Sequence, residues 1–145
     1  MKARVITYAK KVNLPIKLLY DAVADVANYP KILNYVKCAE IYNVHKNSMT
    51  VKMLVGRGPI SFSYDCNVNM YSQSTIYIFS DNGPFILLKV KWEFIKIDNY
   101  TTMVRHKLEY KLHNQWMEKA AAIALKKNKS YTIDAFEVYA RKLFN

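Results

Sequence analysis

The chain has 145 residues, of which 52% are hydrophobic, and 22 Lys and Arg against 11 Asp and Glu give it a net charge of +11. This length suits one domain with one core, and 3 Gly with 4 Pro are too few for a disordered chain. Its 2 Cys lack metal-like spacing and argue against a disulfide scaffold, and no apolar run approaches the ~20 residues of a membrane-spanning helix. The basic excess favours an anionic partner: nucleic acid, the ribosome or an acidic membrane surface.

The first part of the chain predicts one strand followed by two short helices. Residues 3–12 are predicted to form the strand. Asn13-Leu14-Pro15 is typical of a helix start, because the N–H groups of the first helical turn make no hydrogen bond within the helix and proline lacks this group. Apolar residues then recur at helical spacing from Leu18 to Val26. Tyr29-Pro30 is expected to end this helix, since the residue before proline avoids helical geometry, and residues 32–36 suggest the second helix.

Strands are predicted next, at residues 38–45, 49–56, 59–70, 74–80, 86–97 and 101–112. The clearest alternation lies in residues 59–70, where polar residues separate the apolar Ile60, Phe62, Tyr64, Cys66, Val68 and Met70. Such alternation indicates a sheet with one buried and one solvated face. Because consecutive strands joined by short turns pair antiparallel, the pattern predicts one curled antiparallel sheet.

A single long helix is predicted to close the chain. Asn114 is a good N-cap, and residues 115–144 contain no Gly or Pro, so one helix of roughly 45 Å is expected there. It is the only predicted element long enough to cover the concave face of the sheet. Its middle is rich in Ala and Lys, which leaves open whether it packs closely on the sheet or stands off. A gap between helix and sheet would form a pocket.

Three segments carry a family resemblance. Residues 25–33 (DVANYPKIL) are similar to a D-V-x-x-Y-P-x-F-L stretch, residues 83–94 to a G-P-F-x-x-L-x-G-x-W-x-F signature, and residues 132–136 (TIDAF) to M-V-D-A-F. All three motifs belong to the coenzyme Q-binding START-domain family, also called polyketide cyclase/dehydrase-like proteins, which includes the bacterial ribosome-association toxin. Val90 stands where that family usually has Gly, and Asn34-Tyr35-Val36 replaces its P-W-C.

The resemblance implies an α+β helix-grip (START/Bet v 1-like) fold: a curled antiparallel sheet of about six to seven strands around a long C-terminal helix, with two short helices after the first strand. It implies one START-like lipid-binding domain over residues 1–145. It also implies an apolar cavity for a lipid-like molecule, with ubiquinone the best-known candidate, as a bound ligand and not a catalytic cofactor. The β-branched Val90 in place of Gly bears on the shape of that cavity.

No catalytic or metal motif accompanies this pattern. His45, His106 and His113 have no partners at the spacing of a metal or nucleophile motif. His106 falls on the inward face, where it either donates a hydrogen bond to a quinone carbonyl or is an ordinary core histidine. We therefore predict no catalytic residue, no metal and no enzymatic activity, with an aromatase/cyclase-type enzyme as the third alternative.

Inward-facing apolar residues are the predicted ligand-binding set, although the same residues would form the core of a fold without a pocket. Phe85, in a turn after Gly83-Pro84, is interpreted as a lid residue over the pocket mouth or a membrane-touching tip. The predicted set is Leu33, Val51, Met53, Val55, Phe62, Tyr64, Cys66, Phe85, Leu88, Val90, Trp92, Phe94, His106, Leu108, Tyr110, Ile123 and Phe136.

Two functions follow from these observations. The first is a carrier or chaperone that binds ubiquinone or a related isoprenoid lipid, supports respiratory electron transport and touches anionic membrane peripherally. The second is a protein that binds the large ribosomal subunit and inhibits subunit joining. Residues 1–11 lack the apolar core of a signal peptide, so we expect a cytoplasmic location, peripheral to the inner membrane in the first case.

Overall fold

One antiparallel sheet organises the chain in the computed structural model, which describes residues 2–144. Its strands are β1 (Arg4–Val12), β2 (Val36–Tyr42), β3 (Ser48–Arg57), β4 (Ile60–Tyr71), β5 (Thr75–Ser80), β6 (Phe85–Asp98) and β7 (Thr101–Leu112). The helices are α1 (Ile16–Ala24), a 3-10 turn (Val26–Asn28), α2 (Tyr29–Ile32), α3 (Gln115–Lys127) and α4 (Tyr131–Phe144).

The strand order in the sheet is β1-β7-β6-β5-β4-β3-β2, with every neighbouring pair antiparallel. Strands next to each other in the sheet are also consecutive in the chain, except that β1 pairs with β7. The predicted α+β class, the curled antiparallel sheet and the short helices after the first strand are confirmed. Because side chains alternate along each strand, one face of the sheet is buried beneath the helices and the other faces solvent.

The helices after β1 differ in detail from the prediction. Tyr29-Pro30 was expected to end a helix, but α1 already ends at Ala24, and α2 begins at Tyr29 with Pro30 in its first turn. Proline is tolerated there because the N–H groups of the first helical turn have no hydrogen-bond acceptor within the helix, so a missing N–H breaks no bond. Val36, expected in a helix, begins β2 instead.

The C-terminal helix is interrupted where an unbroken one was expected. Asn128 leaves helical geometry at φ −125° and ψ 36°, and both its backbone N–H and its side-chain amide donate to the carbonyl of Ala124, at 3.2 and 3.3 Å. Tyr131 then donates its N–H to the carbonyl of Asn128 at 3.0 Å and starts α4. Asn and Ser are poor interior helix formers because their side chains compete for backbone groups, which explains a break at residues 128–130.

The break lets the two C-terminal helices pack differently. Helix α4 lies tightly against the core through the fully buried Ile133, Phe136 and Ala140. Two ion pairs, from Lys10 to Asp134 at 2.7 Å and to Glu137 at 2.8 Å, attach it to β1, and both carboxylates raise the pKa of Lys10. Helix α3 buries only Glu118 and is therefore the part that stands off the sheet.

Candidate functional site

A cavity of about 600 Å³ lies between the concave face of the sheet and the C-terminal helices. This volume is within the range of sites that enclose drug-sized ligands. Its floor is formed by paired residues of β6 and β7: Leu88 pairs with Tyr110, Val90 with Leu108, and Trp92 with His106. Its remaining lining comes from the other strands of the sheet, the turn before β6, the segment from Val26 to Val36, the inner faces of α3 and α4, and the residues between these two helices.

Fourteen of the seventeen predicted site residues line this cavity. They are Leu33, Met53, Val55, Phe62, Tyr64, Cys66, Phe85, Leu88, Val90, Trp92, His106, Leu108, Tyr110 and Phe136. Phe85 lies beside Tyr64 in the cavity lining, with ring centroids 4.9 Å apart. A Cβ at Gly83 would lie 2.4 Å from the carbonyl oxygen of Ser63, so only glycine permits this turn to press Phe85 onto β4.

Three predicted site residues lie outside the cavity lining. Val51 and Phe94 belong to the solid core, where Phe94 meets Tyr20 of α1 edge-on at 5.5 Å because α1 covers that part of the sheet. Ile123 points away from the cavity and is 61% exposed, since α3 turns its opposite side inward. The alternation along the strands identified the residues on the cavity floor. It did not predict which helix covers each part of that floor.

The cover of the cavity contains residues that the sequence analysis missed. Met117, Ala121 and Leu125 recur every four residues and form the inner face of α3 over a small cluster of Leu88, Tyr110 and Leu112. This i, i+4 spacing was the available signal. The small Ala121 in the middle explains why the cavity is deep under α3, because an alanine fills little of the space between helix and sheet.

A carboxylate holds α3 to the sheet at one end. Glu118 accepts a hydrogen bond from the Leu112 N–H at 3.0 Å and another from Arg4 Nε at 3.1 Å. The backbone hydrogen bond from Leu112, aided by Arg4 and Lys111, lowers the pKa of Glu118 below its ordinary value. Helix α3 is thus a cover fixed by polar contacts near its start and by three apolar side chains along its length.

One fully buried hydroxyl belongs to a residue of the cavity lining and has no hydrogen-bond partner. The hydroxyl of Tyr110, a residue only 3% exposed, is the single buried side-chain N or O atom among residues 2–144 without a hydrogen bond. By contrast, the hydroxyl of Tyr29 donates to the carbonyl of Val23 at 2.6 Å. An unsatisfied buried hydroxyl costs on the order of 1–3 kcal/mol, so a ligand oxygen that accepts from Tyr110 would recover this loss.

The deep cavity is electrically neutral. Burial lowers the pKa of His106 to about 4, so its imidazole is uncharged at neutral pH, and its ring packs edge-on against Trp92 at 4.6 Å. Burial also raises the pKa of the Cys66 thiol to about 12 and the pKa of the Tyr64 hydroxyl above its ordinary value. Lys129 is the one charged side chain in the described lining, and it is exposed. This environment suits an uncharged ligand.

A family model described as "Polyketide cyclase / dehydrase and lipid transport" matches residues 12–137. The chain belongs to this family. Among curated relatives, the ribosome association toxin RatA of Escherichia coli (strain K12) is 24% identical over 127 residues, which cover 88% of this chain and 80% of RatA. The resemblance stated from the three sequence segments is confirmed.

Solved structures confirm the START/Bet v 1-like fold. The Zhui aromatase/cyclase from Streptomyces sp. R1128 superposes with a TM-score of 0.87 at 13% identity, covering 99% of this chain and 96% of that one. A START superfamily protein from Mycobacterium smegmatis gives 0.78 at 14% identity, with 96% and 98% covered. Norcoclaurine synthase from Thalictrum flavum gives 0.73 at 9% identity, with 99% and 97% covered.

These neighbours correct the prediction that the chain is not an enzyme. That prediction rested on the absence of a metal or nucleophile motif in the sequence. It is wrong, because an aromatase/cyclase and norcoclaurine synthase share this fold, and a motif search therefore does not exclude catalysis. Among residues 2–144, no helix has both the length and the apolar character needed to cross a membrane.

Proposed function

We propose that the cavity beneath α3 binds a neutral, mostly apolar molecule that carries a hydrogen-bond acceptor, and that this molecule is a polyprenyl quinone of the ubiquinone class. The observation that carries the proposal is the unpartnered, fully buried hydroxyl of Tyr110, a residue that lines a largely apolar cavity. A quinone carbonyl accepts a hydrogen bond and carries no charge, as this cavity requires. The chain would act as a carrier that shields the lipid from water.

The size and spacing of the cavity support this ligand class. Tyr110 and His106 lie four residues apart on β7, which places their backbones about 13 Å from each other along the strand. Tyr110 would donate to the head of the ligand, while the apolar residues between them would contact its tail. Each buried methylene contributes about 0.8 kcal/mol, so a partly enclosed isoprenoid chain provides enough free energy for micromolar binding.

Organic extraction of the purified protein followed by mass spectrometry tests the ligand. We expect a copurifying isoprenoid quinone, and an increase in melting temperature when a short-chain ubiquinone analogue is added, because ligand that binds only the folded state stabilises it. The absence of lipid from the extract, together with an unchanged melting temperature, would contradict the proposal. A different extracted lipid would keep the cavity function and reject the quinone.

Replacing Tyr110 by phenylalanine separates ligand recognition from folding. We expect the dissociation constant of the ubiquinone analogue to rise about 2- to 10-fold, because one hydrogen bond of roughly 0.5–1.5 kcal/mol is lost. The unliganded protein should keep or gain stability, since the removed hydroxyl had no partner. Tyr8→Phe, on β1 and outside the cavity lining, is the control. Equal affinities for Tyr110→Phe and wild type would remove Tyr110 from the binding site.

The outer face of α3 is the surface that we expect to meet a membrane during lipid transfer. Trp116 is 81% exposed there and lies seven residues before Ile123, hence on the same side of the helix. Lys119 and Lys126, each three residues after a member of this stripe, lie along one side of it, and lysines beside exposed apolar residues are typical of helices that lie on anionic bilayers. Trp116→Ala should weaken cosedimentation with vesicles that contain phosphatidylglycerol, and unchanged cosedimentation would reject this surface.

Ribosome association is a second candidate function. It is favoured by the match to RatA over 88% of this chain, together with the net charge of +11. Sucrose-gradient sedimentation at physiological salt tests it: the protein should migrate with the large ribosomal subunit and reduce the fraction of joined ribosomes. Its absence from the large-subunit fraction, with an unchanged ratio of subunits to joined ribosomes, would reject this function while leaving the cavity function intact.

A further inference from the structure

The solvent-facing side of the sheet carries aromatic residues that the core does not use. Tyr71 at the end of β4 is 57% exposed, and Tyr77 and Phe79 on β5 are 41% and 36% exposed. The rings of Tyr71 and Tyr77 meet edge-on at 6.0 Å, and all three lie on the face opposite the cavity. Burial of apolar surface does not explain aromatic rings in these positions.

Strand register places cations directly beside these rings. Tyr77 pairs with Lys91, which pairs in turn with Lys107, and Lys91 Nζ lies 5.7 Å from the centre of the Tyr77 ring. Phe79 pairs with Lys89 one row away. In the three rows that contain Thr75, Tyr77 and Phe79, strands β6 and β7 together hold four cations, with Arg105 the fourth, and two carboxylates, Glu93 and Glu109. Lys91 Nζ lies 3.8 Å from Glu93, and the exposed Asp65 lies two residues before Asn67 on β4.

On the other side of the rings are amides. Asn69 pairs with Tyr77 and Asn67 with Phe79, so each row runs from an amide on β4 through a ring on β5 to a lysine on β6. The rows are about 7 Å apart, because residues on one face of a strand alternate. Acyl chains have no group that can hydrogen-bond to an amide. A nucleotide has a base with hydrogen-bonding edges and flat faces, and a phosphate to one side of that base.

We propose that this outer face, formed by Asn67, Asn69, Tyr71, Tyr77, Phe79, Lys89, Lys91, Arg105 and Lys107, binds a single-stranded segment of RNA. The bases stack on the rings of β4 and β5, and the phosphates lie along the cations of β6 and β7. Sheets with two or three exposed aromatic residues recognise unpaired RNA in this way, and stacking tolerates any base. The inference rests on the second candidate function, for which it names the surface and the partner.

Fluorescence anisotropy with a labelled 12-nucleotide oligouridylate tests the face without ribosomes. The double variant Tyr77→Ala/Phe79→Ala should bind at least about 30-fold more weakly, because each stacked base contributes roughly 1–3 kcal/mol. Lys91→Gln/Lys107→Gln should weaken binding and reduce the slope of log affinity against log salt by about 1.4, or about 0.7 per phosphate contact. Tyr100→Ala and Lys46→Gln, exposed residues outside the face, are the matched controls and should bind like wild type.

The same variants are then sedimented with large ribosomal subunits. If wild type binds the subunit and Tyr77→Ala/Phe79→Ala binds it equally well, the face inference is overturned and ribosome association stands. If wild type binds the oligonucleotide through this face but not the subunit, the ribosomal function fails and the RNA face stands. Loss of phosphatidylglycerol-vesicle binding in these variants with RNA binding unchanged would assign the face to lipid and overturn the proposal.

Discussion

Replacing Phe136 by alanine is expected to lower the free energy of unfolding by about 3–5 kcal/mol, the cost of truncating a fully buried aromatic residue. Phe136 projects from α4 to the floor of the cavity, where its ring meets Trp92 edge-on at 5.3 Å and Tyr29 at 5.2 Å. It therefore joins the C-terminal helix α4, the interior strand β6 and α2 at one point. Edge-to-face aromatic pairs contribute free energy beyond their buried area, so both contacts add to the loss.

Urea denaturation followed by far-ultraviolet circular dichroism measures this change. Val138→Ala, an exposed position two residues further along α4, is the control and should alter stability by less than about 0.5 kcal/mol. Equal losses for the two variants would mean that α4 is not anchored through Phe136. A lower urea midpoint with an unchanged slope of unfolding free energy against urea concentration would identify the loss as one of packing. That slope reports the surface area exposed on unfolding.

The strands were predictable because their signal is local. Alternation in β4, with Cys66 and Val68 buried between exposed polar neighbours, fixes which residues face inward without any knowledge of the rest of the chain. The same reasoning placed His106 and Tyr110 on the cavity side of β7. For this reason most of the predicted lining residues lie around one space.

The cover of the cavity was less predictable because it depends on how distant elements meet. Residues 115–144 contain no Gly or Pro, yet the helix breaks at Asn128, where a side-chain bond to Ala124 competes with the helical pattern. Ile123 has the apolar character of a lining residue, but Glu118 turns the other side of α3 inward through its bonds to β1 and β7. The bond from Arg4 joins residues 114 positions apart, and no short sequence window contains both partners.

Helix α3 differs from α4 in what holds it, and this difference shapes the site. Helix α4 contributes three fully buried residues, whereas α3 contributes one buried carboxylate and an alanine-rich inner face. The free energy that stabilises the fold is therefore concentrated away from the cavity cover. Elements with little buried apolar surface open at low cost, so α3 is the part of the wall through which a ligand would enter.

Filling the cavity should abolish most ligand binding without damage to the fold. Val90 lies on the cavity floor between Ile78 and Leu108, at the position where the signature that residues 83–94 resemble has glycine. In Val90→Trp, the indole would occupy space that the ligand needs, so binding has to displace or compress it. Overpacking of this kind costs about 1–3 kcal/mol, which corresponds to a roughly 5- to 150-fold weaker affinity for the ubiquinone analogue.

The unliganded Val90→Trp protein should retain its melting temperature, because the indole enters an empty apolar space instead of a filled core. Ile95→Trp, which adds the same side chain to the exposed side of β6, is the matched control and should bind the analogue like wild type. Titration calorimetry of wild type, Val90→Trp, Ile95→Trp and Val90→Gly gives the affinities. Undiminished binding by Val90→Trp would place the ligand outside the cavity, whereas stronger binding by Val90→Gly would show that the valine narrows a site suited to a larger ligand.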